Sequence, residues 1–247
     1  MTPLTPLPIG EHTLAWHPMT DSQRFPLERR YGLGGKPMPK RWAPWPTAGS
    51  RIDRAKKPLD ISLKMGTLIA DVARRVPLFA HIDIGSTLVA FTSSRTRSKY
   101  GLQARVTPMR FREGMLYAKR RGRLYQVQRY YRDGRELLYI VEFSLPRFLV
   151  LPFEEKLVTV FHELYHIGPQ FDGDVRRHDG RYKYHTHSQK EYDAEMGKLV
   201  REYLASHNDA EVFEFLHPTY AELWDRHGGI YGTVVPRPKL VPVQITI

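Results

Sequence analysis

A chain of 247 residues, 41% of them hydrophobic, can bury a substantial core and suits one main domain with extensions. It has no cysteine and no apolar run long enough to span a bilayer. The start, MTPLTPLPIGEH, lacks a basic and an apolar region. Disulfides, thiolate metal sites, a transmembrane helix and a secretory signal are therefore not expected, and a cytoplasmic location is. The net charge of +12 is concentrated in one segment, described below.

Residues 1–58 are rich in proline and carry three of the four tryptophans. Their turn residues outweigh any periodicity, so they read as an extended arm that wraps a domain. From Leu59 to Val76, the spacing of Leu63, Leu68, Ile69, Val72 and Val76 predicts an amphipathic helix. Ile82–Phe91 reads as a strand, and Leu102–Phe111 as a second. Runs at 124–131 and 136–143 flank Asp133-Gly134, a hairpin signal. An amphipathic helix follows from about Pro152 to Gly168, then a loop to His187. Further helices are expected at 188–205 and between Asp209 and Trp224. The main domain spans 59–225, and the tail 226–247 is extended. Strands bracketed by helices without strict alternation give an α+β domain, with a small, mostly antiparallel sheet against the helices.

The second helix candidate carries the chemistry. His162-Glu163-Leu164-Tyr165-His166 is an HExxH motif. Residues four apart on a helix share a face, so both imidazoles point the same way. That spacing suits two nitrogen ligands on one Zn²⁺, with Glu163 beside the metal to act on a water. Pro152 fits a first helical position, and Glu154 and Glu155 favour the helix start. Leu157, Val160, Phe161, Leu164 and Ile167 form the apolar stripe.

A third protein ligand is needed, and several residues compete. Five of the eleven histidines fall between 162 and 187. His187 is favoured, because it precedes a helix that Ser188 can cap; His185 and His178 are the alternatives. Asp172 fits a metzincin pattern poorly, and Glu191 or Glu195 would serve in a gluzincin pattern. In the loop, Asp172 and Asp174 are candidates to orient the imidazoles. Arg176, Arg177 and Arg181 could pair with them or hold a substrate carboxylate. Tyr184 and Tyr192 are the candidate oxyanion donors, with Tyr182 beside them.

The stretch FHELYHIGPQFDGDVRRHDGRYKYHTHSQKEYD resembles the phage metallopeptidase family and, more distantly, SprT-like minimal zincins. The resemblance covers roughly residues 60–205. It implies a zincin-like fold with a short sheet before the HExxH helix, His162 and His166 as metal ligands, and Glu163 as general base. It also implies a third ligand ahead of a later helix, here His187, and a phage or prophage origin.

Between Arg95 and Arg135 lie thirteen Lys and Arg against Glu113 and Asp133, a local charge of +11. Tyr100, Phe111, Tyr117, Tyr125, Tyr130 and Tyr131 are interleaved. Phosphate contacts with base stacking would use such a face, so nucleic acid or another polyanion is an expected partner through Arg95, Arg97, Lys99, Lys119, Arg120, Arg121 and Arg123. The function read from the chain is zinc-dependent hydrolysis of peptide or protein substrates, with no membrane partner. Residues 136–143, as an edge strand, would align the peptide. The alternative is a non-catalytic, basic nucleic-acid-binding or virion-associated protein with a structural metal site.

Overall fold

The computed structural model describes residues 16–18, 25–94, 98, 100–177, 189–206 and 210–245. In chain order come β1 (Trp16–Pro18), β2 (Glu28–Tyr31), β3 (Lys40–Trp42), β4 (Leu59–Asp60) and helix α1 (Ile61–Arg75). Next are β5 (Thr87–Ser93), β6 (Ala104–Pro108), β7 (Tyr117–Arg120), β8 (Arg123–Val127), β9 (Arg129–Arg132), β10 (Arg135–Leu137) and β11 (Tyr139–Leu145). The chain closes with α2 (Phe153–Tyr165), α3 (Gln189–Ala205), α4 (Tyr220–His227), β12 (Ile230–Thr233) and β13 (Leu240–Ile245). Four α-helices with mostly antiparallel strands make an α+β fold. No helix of the described residues is long and apolar enough to cross a membrane.

Three strands in the order β5-β11-β6 form the platform. β11 lies in the middle, parallel to β5 and antiparallel to β6. Alternate residues of a strand point to opposite faces. Tyr139, Val141 and Phe143 enter the large core with α1, α2 and α3, while Ile140 enters a smaller cluster with Tyr130 and Leu137. Every residue of β11 is therefore buried. This corrects the expectation that 136–143 is an edge strand: a run buried on both faces is what an interior strand requires. The edge strands of this sheet are β5 and β6, and β6 is the one that borders the cleft described below.

Asp133-Gly134 does make a tight turn, with φ of 51° and 81°. The hairpin is short, however, because both arms split between sheets. Arg129–Arg132 pairs with Arg135–Leu137, while residues 123–127 pair with β7 and β13. The second arm continues into the platform as β11 after Leu138. The predicted strand Ile82–Phe91 begins with a 3-10 turn at Ile84–Ser86 and becomes extended at Thr87. The helix expected between Asp209 and Trp224 is also broken. Two 3-10 turns, Ala210–Val212 and Glu214–Leu216, precede Pro218, and α4 starts from a capping box of Thr219 and Glu222. Proline has no N–H and cannot continue a helix through its own position.

Lys156 locks that broken segment to α2. It is 1% exposed, and its Nζ donates to the carbonyls of Leu216 at 2.7 Å and Pro218 at 3.1 Å. Burial lowers its pKa to about 8, against a smaller upward pull from Glu222. The unfolded chain therefore binds a proton that the folded chain does not between about pH 8 and 10.5. The lysine's contribution is present above that window and is lost as pH falls through it. Lys156→Met should destabilise the fold by about 2–4 kcal/mol at pH 7, since two buried carbonyls lose their donor. Denaturant unfolding at pH 7 and pH 10 should show the deficit growing by up to about 3 kcal/mol. A pH-independent deficit contradicts the assignment.

Candidate metal centre

α2 starts from Pro152, which occupies the N-cap with ψ of 154° rather than the first helical position. Glu154 and Glu155 lie in the first turn, where the positive end of the dipole favours them. Leu157, Val160, Phe161 and Leu164 are buried in the core. This stripe turns His162 and Glu163 toward a cleft of about 700 Å³. Leu102, Gln103 and Ala104 at the head of β6 form one wall, and Ala194, Gly197 and Arg201 of α3 form another. Arg201 reaches across to Glu154 at 3.5 Å. Tyr203, further along α3, packs edge-on against Phe161 at 5.7 Å and donates to Asp71 at 2.7 Å. Through these contacts α3 is held against both α1 and α2.

The rings of His162 and His166 are 4.8 Å apart, centre to centre, in an edge arrangement. Two imidazoles at about 2.1 Å from one tetrahedral ion have centres roughly 5 Å apart, so the pair fits Zn²⁺. The helix reaches only Tyr165, and His166 is its C-cap in helical conformation. Both imidazoles thus sit at the negative end of the dipole, where a cation is favoured. Glu163 is 9% exposed. Burial pushes its carboxyl up to about 7, partly offset by a hydrogen bond from the Val106 backbone. That bond ties the motif to the outer edge of β6.

The loop after the helix folds back at once. Ile167 bridges Val175, the His166 carbonyl accepts from Arg176 N–H at 2.8 Å, and Gly168 N–H donates to the Asp174 carbonyl at 3.1 Å. A Cβ on Gly168 would lie 2.7 Å from that carbonyl oxygen, so only glycine permits the approach. Arg176 also donates from Nε to Tyr165 O at 2.8 Å and lies over the Tyr165 ring at 4.3 Å. It caps the helix end that presents His166, a role the sequence did not suggest. Tyr139 of β11 clamps the same loop, donating to Asp174 O at 2.7 Å and accepting from Gly173 N–H at 3.0 Å.

Among the described residues, Asp174 is bonded to no imidazole. Its carboxylate receives Arg177 at 2.8 and 2.9 Å, Val175 N–H and Glu113 N–H. These contacts hold its pKa low against the upward pull of burial. Asp172 accepts from Asp174 N–H. The pairing of Arg177 with an aspartate matches one expectation; among the described residues, neither aspartate is hydrogen-bonded to an imidazole.

Among the described residues, no third His, Asp or Glu joins His162 and His166 as a metal-binding group. Asp172 and Glu195 are described and stand apart from it. His178, His185, His187, Arg181, Tyr182 and Tyr184 lie outside the described residues, as do Arg95, Arg97 and Lys99. The side chains of Glu191 and Tyr192 do so too, although their backbone belongs to α3.

No curated protein and no solved structure matches the chain. Residues 63–204, more than half of the chain and including most of α1, the platform, α2 and most of α3, match the family model described as "Putative phage metallopeptidase"; the chain belongs to that family.

Proposed function

We propose that this protein is a zinc-dependent peptidase with a zincin-like arrangement, in which His162 and His166 hold the metal. His187 completes the protein ligands, with His185 and His178 as alternatives. The observation that carries the reading is the juxtaposition, at the end of one helix, of two imidazoles with ring centres 4.8 Å apart and Glu163, with His162 and Glu163 lining an open cleft. Bound there, Zn²⁺ supplies Lewis acidity, which acidifies water and polarises a carbonyl. Glu163 takes the proton of the attacking water and returns it to the leaving amine. Tyr184 or Tyr192 donates a hydrogen bond to the developing oxyanion.

The substrate is an extended peptide or protein segment laid along β6. Among the described residues β6 pairs only with β11, so its other edge faces the cleft. Backbone groups alternate sides along an antiparallel strand. Val106 directs its N–H to Glu163, so Ala104 presents its N–H and carbonyl on the same side. A peptide adding there runs past Glu163. This replaces residues 136–143 as the aligning strand.

The zinc-loaded protein should cleave members of an unbiased peptide library. Chelation should stop cleavage, and added zinc should restore it. A zinc-saturated, folded protein that cleaves nothing in the library would overturn the peptidase reading.

A second reading is compatible with the first and concerns partners. Contact between the basic segment 95–135 and nucleic acid or another polyanion is supported by the uncompensated cations on β7 and β8.

A further inference from the structure

The thirteen Lys and Arg of residues 95–135 fall into distinct groups in the fold. Arg105 pairs with Glu142, Arg110 and Arg129 with Glu136, and Arg135 with Asp83. Arg132 donates to the carbonyls of Ile84 and Gly85, and Arg112 pairs with its neighbour Glu113. These six serve the protein's own architecture. Lys119, Arg120, Arg121 and Arg123 do not. All four are exposed at the tip of the β7–β8 hairpin, and among the described residues none pairs with a carboxylate.

The tip is costly as built. Arg120 and Arg123 face each other directly across the ladder, and like charges in that position destabilise a hairpin. Arg121 and Gly122 form its two-residue turn with φ of 48° and 78°. Such turns favour Asn or Asp in the first position, yet an arginine occupies it. Arg120 has the Phe111 ring at 5.6 Å, which does not neutralise the cluster. Four cations in five residues, at an unfavourable turn and without internal partners, call for an external anion.

The surroundings select the class of anion. Single-strand binding depends on exposed rings that stack on bases. Here Phe111, Tyr130 and Tyr131 are buried, Tyr117 and Tyr125 are half-buried, and the one exposed ring among the described members of the segment, Tyr100, lies ahead of β6 and outside the β7–β8 hairpin. Membrane insertion needs apolar side chains at the tip, and residues 119–123 have none. Contact with regularly spaced phosphates needs only exposed cations on a firm support. β8 provides that support by pairing with both β7 and β13.

We infer that the β7–β8 tip, through Lys119, Arg120, Arg121 and Arg123, binds the phosphate backbone of duplex nucleic acid without reading its sequence. The inference rests on the polyanion reading above and is independent of the peptidase reading.

Fluorescence anisotropy of the full-length protein with a short DNA duplex, the matching single strand and phosphatidylserine–phosphatidylcholine vesicles, at rising salt, tests it. The parent should bind the duplex most tightly. A variant with all four residues changed to Gln should lose at least about tenfold in affinity. Its salt slope should fall by about one for each cation that touches a phosphate. Arg121→Gly with Arg123→Gln suits the left-handed turn and should give an intermediate loss, which keeps the test alive should the fourfold variant fold poorly. Arg54→Gln with Lys57→Gln and Lys64→Gln removes charge elsewhere and should bind like the parent. Hairpin variants that bind like the parent, or a control that loses as much, overturn the hairpin assignment and leave the polyanion reading standing. Tighter binding to single strands or vesicles overturns the duplex assignment. No binding to any probe at low salt overturns both.

Discussion

Glu163→Gln should lower peptide turnover by about 10²–10⁴-fold, the usual contribution of a positioned general base, while zinc content and thermal midpoint stay near those of the parent. The amide matches the carboxyl in size. Glu163 is buried and accepts from the Val106 backbone, and a Gln carbonyl can accept the same bond. Its burial already raises the cost of carrying charge, so a neutral isostere should not cost the fold. What the amide cannot do is take a proton from water. Single-turnover cleavage of a peptide found in the library screen separates this loss from any change in binding. Equal rates for the two proteins contradict the role given to Glu163.

His162→Ala and His166→Ala should each weaken zinc binding by about a hundredfold or more. A structural zinc site is worth roughly 10–16 kcal/mol over its ligand set, so a single ligand accounts for roughly 3 kcal/mol. The parent should carry about one zinc per chain after dialysis against weak chelator, and both variants little. His217→Ala is the control, since His217 stacks on Phe153 at 3.8 Å and lines no part of the cleft. A variant that retains zinc as tightly as the parent removes that histidine from the ligand set.

The sequence made the helix of the motif legible because two signals coincide: acidic residues in the first turn and an apolar stripe. α1 was legible from its apolar spacing alone; its N-cap, Asp60, whose carboxylate accepts from Leu63 N–H at 3.1 Å, is seen only in the structure. The order of strands was not. An apolar run such as Tyr139–Leu145 shows that both faces are covered but not which strand lies beside it, so the edge went to the wrong segment. The hairpin at Tyr117–Val127 escaped notice because its turn is Arg121-Gly122 rather than Asn-Gly or Asp-Gly.

Charge was misread for a related reason. The partners of Arg105, Arg129 and Arg135 are Glu142, Glu28, Glu136 and Asp83. Some of them lie far along the chain, and local counting cannot see them. The interleaved aromatics looked available for stacking, yet three of the six, Phe111, Tyr130 and Tyr131, are buried. Spacing also cannot choose a third ligand among His178, His185 and His187, since each is near enough in sequence to reach the helix.

Anomalous diffraction at the zinc absorption edge, from crystals of the full-length protein grown with zinc, tests the central claim most directly. The account predicts one strong peak at about 2.1 Å from one nitrogen of His162 and one of His166. Glu163 should lie beside the peak without bonding to it, and a third ligand should come from residues 178–187. A peak remote from the two imidazoles, or none in zinc-saturated crystals, would contradict it.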